Sequence, residues 1–203
     1  MLTPGSIYRF AGYDWRVLKI ENMRALLLSE TVLEKRVFCH SYVTTWAESD
    51  IRDYLNGYGE HRGTGFYDSF NPQDKEKILK TRIVTYDNPW YPDRWGGEPT
   101  EDCIFLLSLE EVCGFDNITG FGDSTANLSK KVATGSYYYI DDRNNSTRTA
   151  KDSDGEACWW WLRSPGNLDD GAAGVGDDGS VDVGGFEVDD DTVGVRPALW
   201  INL

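Results

Sequence analysis

Cys158-Trp159-Trp160-Trp161-Leu162-Arg163-Ser164-Pro165-Gly166 and Gly194-Val195-Arg196-Pro197-Ala198-Leu199-Trp200-Ile201-Asn202-Leu203 are two apolar, aromatic blocks that read as core strand. Between them, Asn167 to Val195 is built almost wholly from Gly, Asp, Val and Ala. The exceptions are Asn167, Leu168, Ser180, Phe186, Glu187 and Thr192. A rigid aromatic frame around a narrow, polar, glycine-rich insert points to a surface held out for binding and not to a catalytic centre. Ala173-x-Val175 and Val181-x-Val183 alternate on either side of Asp178-Gly179, a two-residue hairpin signal. Val193 to Ile201 closes the chain as a last strand, with a bulge or an edge position expected at Pro197, which has no N–H to give a ladder.

Working back towards the start, Cys103 to Leu107 reads as a short buried strand. Ser108-Leu109-Glu110-Glu111 has capping-box spacing and opens a brief helix to Cys113. Gly114 to Ser153 has few regular apolar spacings. A turn is expected at Ala126 to Val132 and a strand at Tyr137-Tyr138-Tyr139. Asp87 to Asp102 is a long loop rich in Pro, Gly and Trp. Asn71-Pro72 starts a helix, with Pro in the first turn and Lys75 to Thr81 carrying it, burying Ile78 and Leu79. Thr45-Trp46-Ala47-Glu48 has the capping-box spacing of a second helix, which runs through Ile51, Tyr54 and Leu55 and stops at Gly57. Tyr8 to Phe10, Asp14 to Ile20 and Arg24 to Ser29 read as strands, broken at Gly12 and at Glu21-Asn22.

The 203 residues suffice for a real core, and 40% hydrophobic content with 8 Trp, 11 Tyr and 8 Phe is globular, not disordered. A net charge of −14 argues against a nucleic-acid partner, whose phosphates it would repel, and permits calcium or a basic partner. Met1-Leu2-Thr3-Pro4-Gly5-Ser6 has no charged and apolar regions of a secretory signal, and no apolar run reaches membrane-spanning length, so membrane insertion is not expected. The cytoplasm, a phage particle and a place within a larger surface protein all remain open. None of Cys39, Cys103, Cys113 and Cys158 forms a CxxC pair or stands at zinc-finger spacing from a histidine. They read as buried free thiols, with a disulfide or a metal site as alternatives.

The blocks WWWLRSPG (Trp159 to Gly166), DGSV (Asp178 to Val181) and GVRPALWINL (Gly194 to Leu203) resemble an uncharacterised bacterial domain family common in gut Firmicutes. WRVLKIENMRALLLSE (Trp15 to Glu30), the helix around Ile51 to Asn56 and FLLSLEE (Phe105 to Glu111) fit it too, so the resemblance covers nearly the whole chain. That family looks like C-type-lectin-fold proteins, and some members resemble the variable proteins of diversity-generating retroelements. The resemblance implies a constant lectin-type fold whose C-terminal side chains are rewritten, by error-prone copying at adenines, into a ligand-binding face. Replacing the first adenine of an Asn codon by G gives Asp, and replacing the second as well gives Gly, Ala or Val. Those four residue types dominate the insert. A Gly/Asp-rich hairpin surface shaped by ordinary drift has the same composition.

The fold class expected is α+β: one C-type-lectin-like domain over 1–203, with antiparallel strands, two main short helices, long loops and a variable-looking insert at 167–195. Its candidate ligand-binding residues are Asp169, Asp170, Gly171, Gly174, Gly176, Asp177, Asp182, Gly184, Gly185, Phe186, Glu187, Asp189, Asp190 and Asp191, with Trp160 beside them. The small residues would let a partner's backbone approach, and the carboxylates, with no Lys or Arg among them before Arg196, would steer a basic partner. If Trp159 to Trp161 is strand, Trp159 and Trp161 share one face and Trp160 the other, either in the core or partly exposed at the binding face. Arg163 and Arg196 could pair with the insert's carboxylates or hold loop carbonyls. Trp90, Tyr91, Trp95 and Glu98 could form a second wall. Calcium could sit on the acidic cluster, though no EF-hand loop is present and Glu98-Pro99-Thr100 only partly matches the lectin motifs.

His40 and His61 sit in no triad or metal motif, and no phosphate-binding or dinucleotide fingerprint appears. The lectin-like fold also hosts formylglycine-generating enzymes, which need a reactive cysteine pair, and none stands at close spacing near Cys158. The leading expectation is non-enzymatic binding of a protein ligand. A calcium-dependent carbohydrate module, an oxidase on the same fold and a structural assembly module are the alternatives.

Overall fold

The computed structural model describes residues 2–41, 44–114, 132–134 and 137–203. The architecture is α+β, with mostly antiparallel sheets and a few short helices. Strands β1 (Ile7–Phe10), β2 (Tyr13–Glu21) and β3 (Arg24–Ser29) form the expected meander. Its turns, Ala11-Gly12 and Asn22-Met23, have all their residues at positive φ (52°, 88°, 46° and 61°). These are the two-residue turns whose twist matches that of the flanking strands.

β4 (Glu34–Lys35) comes next. Thr45 does not cap a helix: it precedes a 3-10 turn, Trp46–Glu48, and α1 (Asp50–Asn56) starts only after Ser49, whose Oγ accepts from the Arg52 amide at 3.4 Å. Gly57 ends α1 at φ 68°, as its position predicts. α2 (Pro72–Lys75) begins at Asn71-Pro72 as expected, with Asn71 Oδ1 accepting from the Asp74 amide at 2.8 Å. It stops after one turn, and the expected continuation to Thr81 fails. Ile78 and Leu79 form β5 (Ile78–Leu79), paired with the C-terminal strand. A β-branched residue beside an open sheet edge gains ladder bonds there, which outweighs two apolar residues at helical spacing.

β6 (Thr81–Ile83) and β7 (Thr100–Asp102) form a ribbon that brackets the long loop. In α3 (Leu109–Cys113) the capping box is complete: Ser108 Oγ accepts from the Glu111 amide at 3.2 Å, and Glu111 Oε2 accepts from the Ser108 amide at 2.7 Å. The turn expected at Ala126 to Val132 lies outside the described residues except for Val132, which opens a strand. β8 (Val132–Thr134), β9 (Tyr137–Ile140), α4 (Asn145–Arg148), β10 (Ala150–Lys151) and β11 (Ala157–Cys158) lead to the C-terminal blocks. These hold β12 (Trp160–Pro165), β13 (Gly171–Val175), β14 (Val181–Glu187), β15 (Gly194–Val195) and β16 (Ala198–Asn202).

Two sheets carry the structure, in the orders β1-β2-β3-β16-β5 and β4-β15-β12-β13-β14-β9-β8. The expected last strand over Val193 to Ile201 is in fact two strands, one in each sheet. Arg196-Pro197 is neither a bulge nor an edge but the point where the chain crosses from one sheet to the other. Pro197 needs no donor there, and its carbonyl accepts from the Ser29 amide at 2.9 Å.

Cys103 to Leu107 is buried as expected, except that Cys103 is half-buried, but it is not a ladder strand. Its backbone groups are divided among three neighbours. Asn56 Oδ1 accepts from the Cys103 and Ile104 amides at 2.9 and 3.0 Å. Phe105 bridges Ala198 in one sheet, and Leu107 O accepts from the Arg163 amide of the other at 2.9 Å. The segment therefore ties both sheets to α1.

One cluster of buried apolar side chains draws on both sheets. Trp15, Trp46, Trp160 and Trp161 are fully buried in it, and each indole N–H has an acceptor, in turn Phe10 O, Asp102 Oδ2, Arg148 O and Arg36 O, at 2.8–3.2 Å. Among the described residues no helix is long and apolar enough to cross a membrane.

Candidate functional site

The insert is not a free surface. β13 and β14 lie inside the seven-stranded sheet, with β12 on one side and β9 on the other. Gly171, Gly174, Gly176, Asp182 and Gly184 are buried, so they offer a partner almost nothing. Gly185, Phe186, Asp170 and Asp190 are half-buried, while Asp169, Asp177, Glu187, Asp189 and Asp191 are exposed. The glycines serve packing within the chain rather than the approach of a partner. A Cβ on Gly174 would lie 2.2 Å from Phe186 Cε2, so the missing side chain is the seat of the Phe186 ring. Gly174→Ala is expected to push that ring off its neighbours and cost about 1–3 kcal/mol, read as a lower denaturation midpoint together with a changed near-UV circular dichroism spectrum.

β13 and β14 pair Ala172 with Phe186 but Gly174 with Asp182, so β14 bulges between them. Asp182 Oδ1 closes that bulge, accepting from the Gly184 and Gly185 amides at 3.0 and 2.9 Å. A further bond comes from the Tyr139 side chain. Burial pushes the Asp182 carboxyl up, against these hydrogen bonds. Asp182 is a framework residue, which its place in an acidic run concealed.

The hairpin signal at Asp178-Gly179 holds, but the loop is wider than two residues. Gly179 N–H donates to Gly176 O at 2.9 Å, Gly176 N–H donates to Ser180 O at 2.8 Å, and Gly179 stands at φ 82°. This is the three-residue loop in which a left-handed glycine follows a turn. Asp178 Oδ1 accepts from the Ser180 amide and hydroxyl at 2.8 and 2.6 Å, which holds its carboxyl below the usual carboxylate range.

The tryptophan run alternates as its spacing predicts, but the exposed member is Trp159. Trp160 is 0% exposed, lying against Arg196 and donating to Arg148 O, so its place beside the binding face is corrected to the core. Trp161 is equally buried, against Phe38 and Phe186. Both faces of β12 are covered. Trp159 precedes that strand, where the cover ends, and is 40% exposed with its ring 4.7 Å from that of Phe186.

Trp159 stands between two hollows. One, of about 310 Å³, lies at the hairpin tip and includes Tyr139, Asp141, Asp177 and Asp178 in its lining. The other, of about 300 Å³, includes Phe186, Lys35, Cys158, Asp190 and Thr192. Of the expected residues, the first hollow collects Gly176, Asp177 and Asp182, and the second collects Phe186 and Asp190. Asp169 lies apart, paired with Arg94 of the long loop. That loop is fastened to the insert by the fully buried Asn88, whose Nδ2 donates to Pro165 O and Val183 O at 2.8 Å each. Trp90 and Tyr91 are partly buried against the core, leaving Trp95 as the exposed tryptophan of the loop.

Arg163 and Arg196 do not pair with the insert's carboxylates. Arg163 forms an ion pair with Glu111 and donates to Leu106 O at 2.7 Å, and Arg196 donates to Ser29 O at 2.8 Å and to Arg148 O at 3.1 Å. The residue that sequence reasoning missed is Arg148 of α4. Fully buried, it donates through Nε to Gly179 O at 2.8 Å and through Nη2 to Asp142 Oδ1 at 3.0 Å, fixing the hairpin tip to α4.

Calcium finds no ready cage: among the described residues no three His, Cys, Asp or Glu side chains converge as metal ligands. The four cysteines are free thiols, and burial pushes Cys103, Cys113 and Cys158 up, Cys113 to about 12, away from the reactive thiolate form.

A family model described as a domain of unknown function, DUF6273, matches residues 22–203. The chain belongs to this family. The match opens at the turn before β3 and takes in every later element, including both hollows. No curated protein and no solved structure matches the chain.

Proposed function

We propose that this chain is a non-enzymatic ligand-binding domain with a C-type-lectin-like fold, presenting the surface around Trp159 to a protein target in the manner of diversity-generating retroelement variable proteins. The observation that carries the reading is Trp159 itself. It is a large apolar ring at the surface, propped by Phe186 and flanked by two hollows, on a chain of net charge −14. Aromatic side chains with a surrounding polar rim are the usual anchors of protein interfaces. The lectin-like fold is supported by the return of the last strand, β16, beside the N-terminal meander, and by the long loop fastened across the C-terminal hairpin.

The test is the DNA that encodes Gly166 to Leu203 and its flanks. A neighbouring near-copy differing only at adenines, beside a reverse transcriptase gene, is the expected finding. The adenine positions should fall in codons for exposed residues such as Asp169, Asp177, Glu187, Asp189 and Asp191, and should spare Gly174 and Gly185. No such copy, or one that rewrites Gly174 and Gly185 as freely as the exposed acids, would remove the basis for a diversified surface.

A further inference from the structure

The hollow at the hairpin tip differs from the one on the other side of Trp159 in what lines it. Among the described residues its lining side chains are carboxylates, hydroxyls and the Trp159 indole, with no Lys or Arg. The buried Arg148 guanidinium donates to Gly179 O, Asp142 and Asn145, and its charge also acts on Asp178. Lys35, in the other hollow, is paired with Asp152 at 3.3 Å. Asp141 and Asp178 each spend one carboxylate oxygen within the chain, on Asn145 Nδ2 and on Ser180. Asp177 is exposed and makes no hydrogen bond or ion pair among the described residues. Among the described residues negative charge therefore outweighs positive in this concave site, where Arg148 acts on Asp178 but no Lys or Arg lines the hollow, and an indole forms its wall. No three of the described carboxylates converge as metal ligands. That spacing suits a broad, planar, delocalised cation, which stacks on an aromatic ring and shares its N–H donors among several acceptors.

We infer that this hollow receives an arginine side chain of the protein partner, its guanidinium stacked on Trp159 and hydrogen-bonded to Asp177 and Asp178. The inference rests on the protein-binding reading and adds the chemistry of the contact.

Acetyl-Gly-Arg-Gly-amide tests it by titration against the isotopically labelled chain, with the Trp159 indole resonance assigned through Trp159→Phe. The arginine peptide is expected to move the Trp159 indole signal and the amide signals of Asp177 to Ser180. The citrulline peptide, alike in shape but neutral, is expected to leave them in place. Asp177→Asn, which removes no internal bond, should weaken the arginine peptide about tenfold with an unchanged melting temperature. Equal shifts with arginine and citrulline, no shift at Trp159, or undiminished binding to Asp177→Asn would each overturn the inference. The encoding DNA decides the broader reading separately: an adenine-marked near-copy found together with a silent arginine titration would retain the binding surface and reject the cation.

Discussion

Arg148→Met is expected to destabilise the fold by about 3–5 kcal/mol, the cost of removing one partner from a buried ion pair. Arg148 and Asp142 have side chains 0% and 3% exposed, so the carboxylate left behind has no water to replace the guanidinium. The Gly179 carbonyl and Asn145 Oδ1 lose the bonds at 2.8 and 2.7 Å that they accept from the same side chain. The indole of Trp160 keeps its acceptor, because that acceptor is the Arg148 backbone oxygen. Two further measurements separate this account from simple loss of packing. Adding Asp142→Asn to Arg148→Met should recover part of the loss, since the buried charge that the guanidinium balanced goes with it. The deficit of the single variant should also shrink as pH falls. A buried carboxylate that loses a guanidinium partner is harder to keep charged than the paired one, so the deficit is greatest while it is ionised and shrinks once it is protonated. A urea midpoint for Arg148→Met within about 1 kcal/mol of the parent, or a double variant no better than the single, would show that the pair does not hold the hairpin tip.

Arg148 also marks the limit of what the sequence discloses. Capping boxes, left-handed glycines and period-two alternation are local, and they located β1 to β3, the end of α1, the start of α3 and the β13–β14 hairpin. Nothing local distinguishes Arg148 in the polar run that holds α4, because its partners are the carbonyl of a distant turn and an acid from its own loop. The helix expected over Lys75 to Thr81 failed for the same reason. What decides that segment is the free edge of β16, supplied by the other end of the chain.

The insert misled differently. Gly and Asp are the residues of exposed turns, so a run of them reads as surface. Here Gly174 makes room for a ring and Asp182 closes a bulge, uses that depend on the neighbouring strand. The spacing of the tryptophans told which of them share a face, but the cover supplied by Arg196 over Trp160 and by Phe38 against Trp161 leaves Trp159 as the open one. The stretch that the sequence singles out therefore holds exposed and buried members interleaved rather than separated.

That interleaving is tested by two adjacent glycines. Gly185 stands at φ 79°, and a Cβ there would lie 2.0 Å from the Ala172 carbonyl oxygen and 2.4 Å from its carbon. Both are backbone atoms of the paired strand and cannot rotate aside. Gly185→Ala should therefore cost more than the about 1–3 kcal/mol of left-handed strain alone. Gly184 has no positive φ, and its added Cβ would meet only side-chain atoms, the nearest Asp182 Oδ1 at 3.4 Å, an ordinary contact. Gly184→Ala should stay within about 0.5 kcal/mol of the parent. Composition treats the two positions as equivalent, and so would a purely solvent-facing insert. If Gly185→Ala unfolds at the same urea concentration as Gly184→Ala, the bulge between β13 and β14 is not rigid, and the seat of Phe186 beside Trp159 loses its support. If the two differ as expected, any rewriting of this region that keeps the fold must step around Gly185 while passing through Gly184, and the proposed binding surface is confined to those side chains that the framework leaves free.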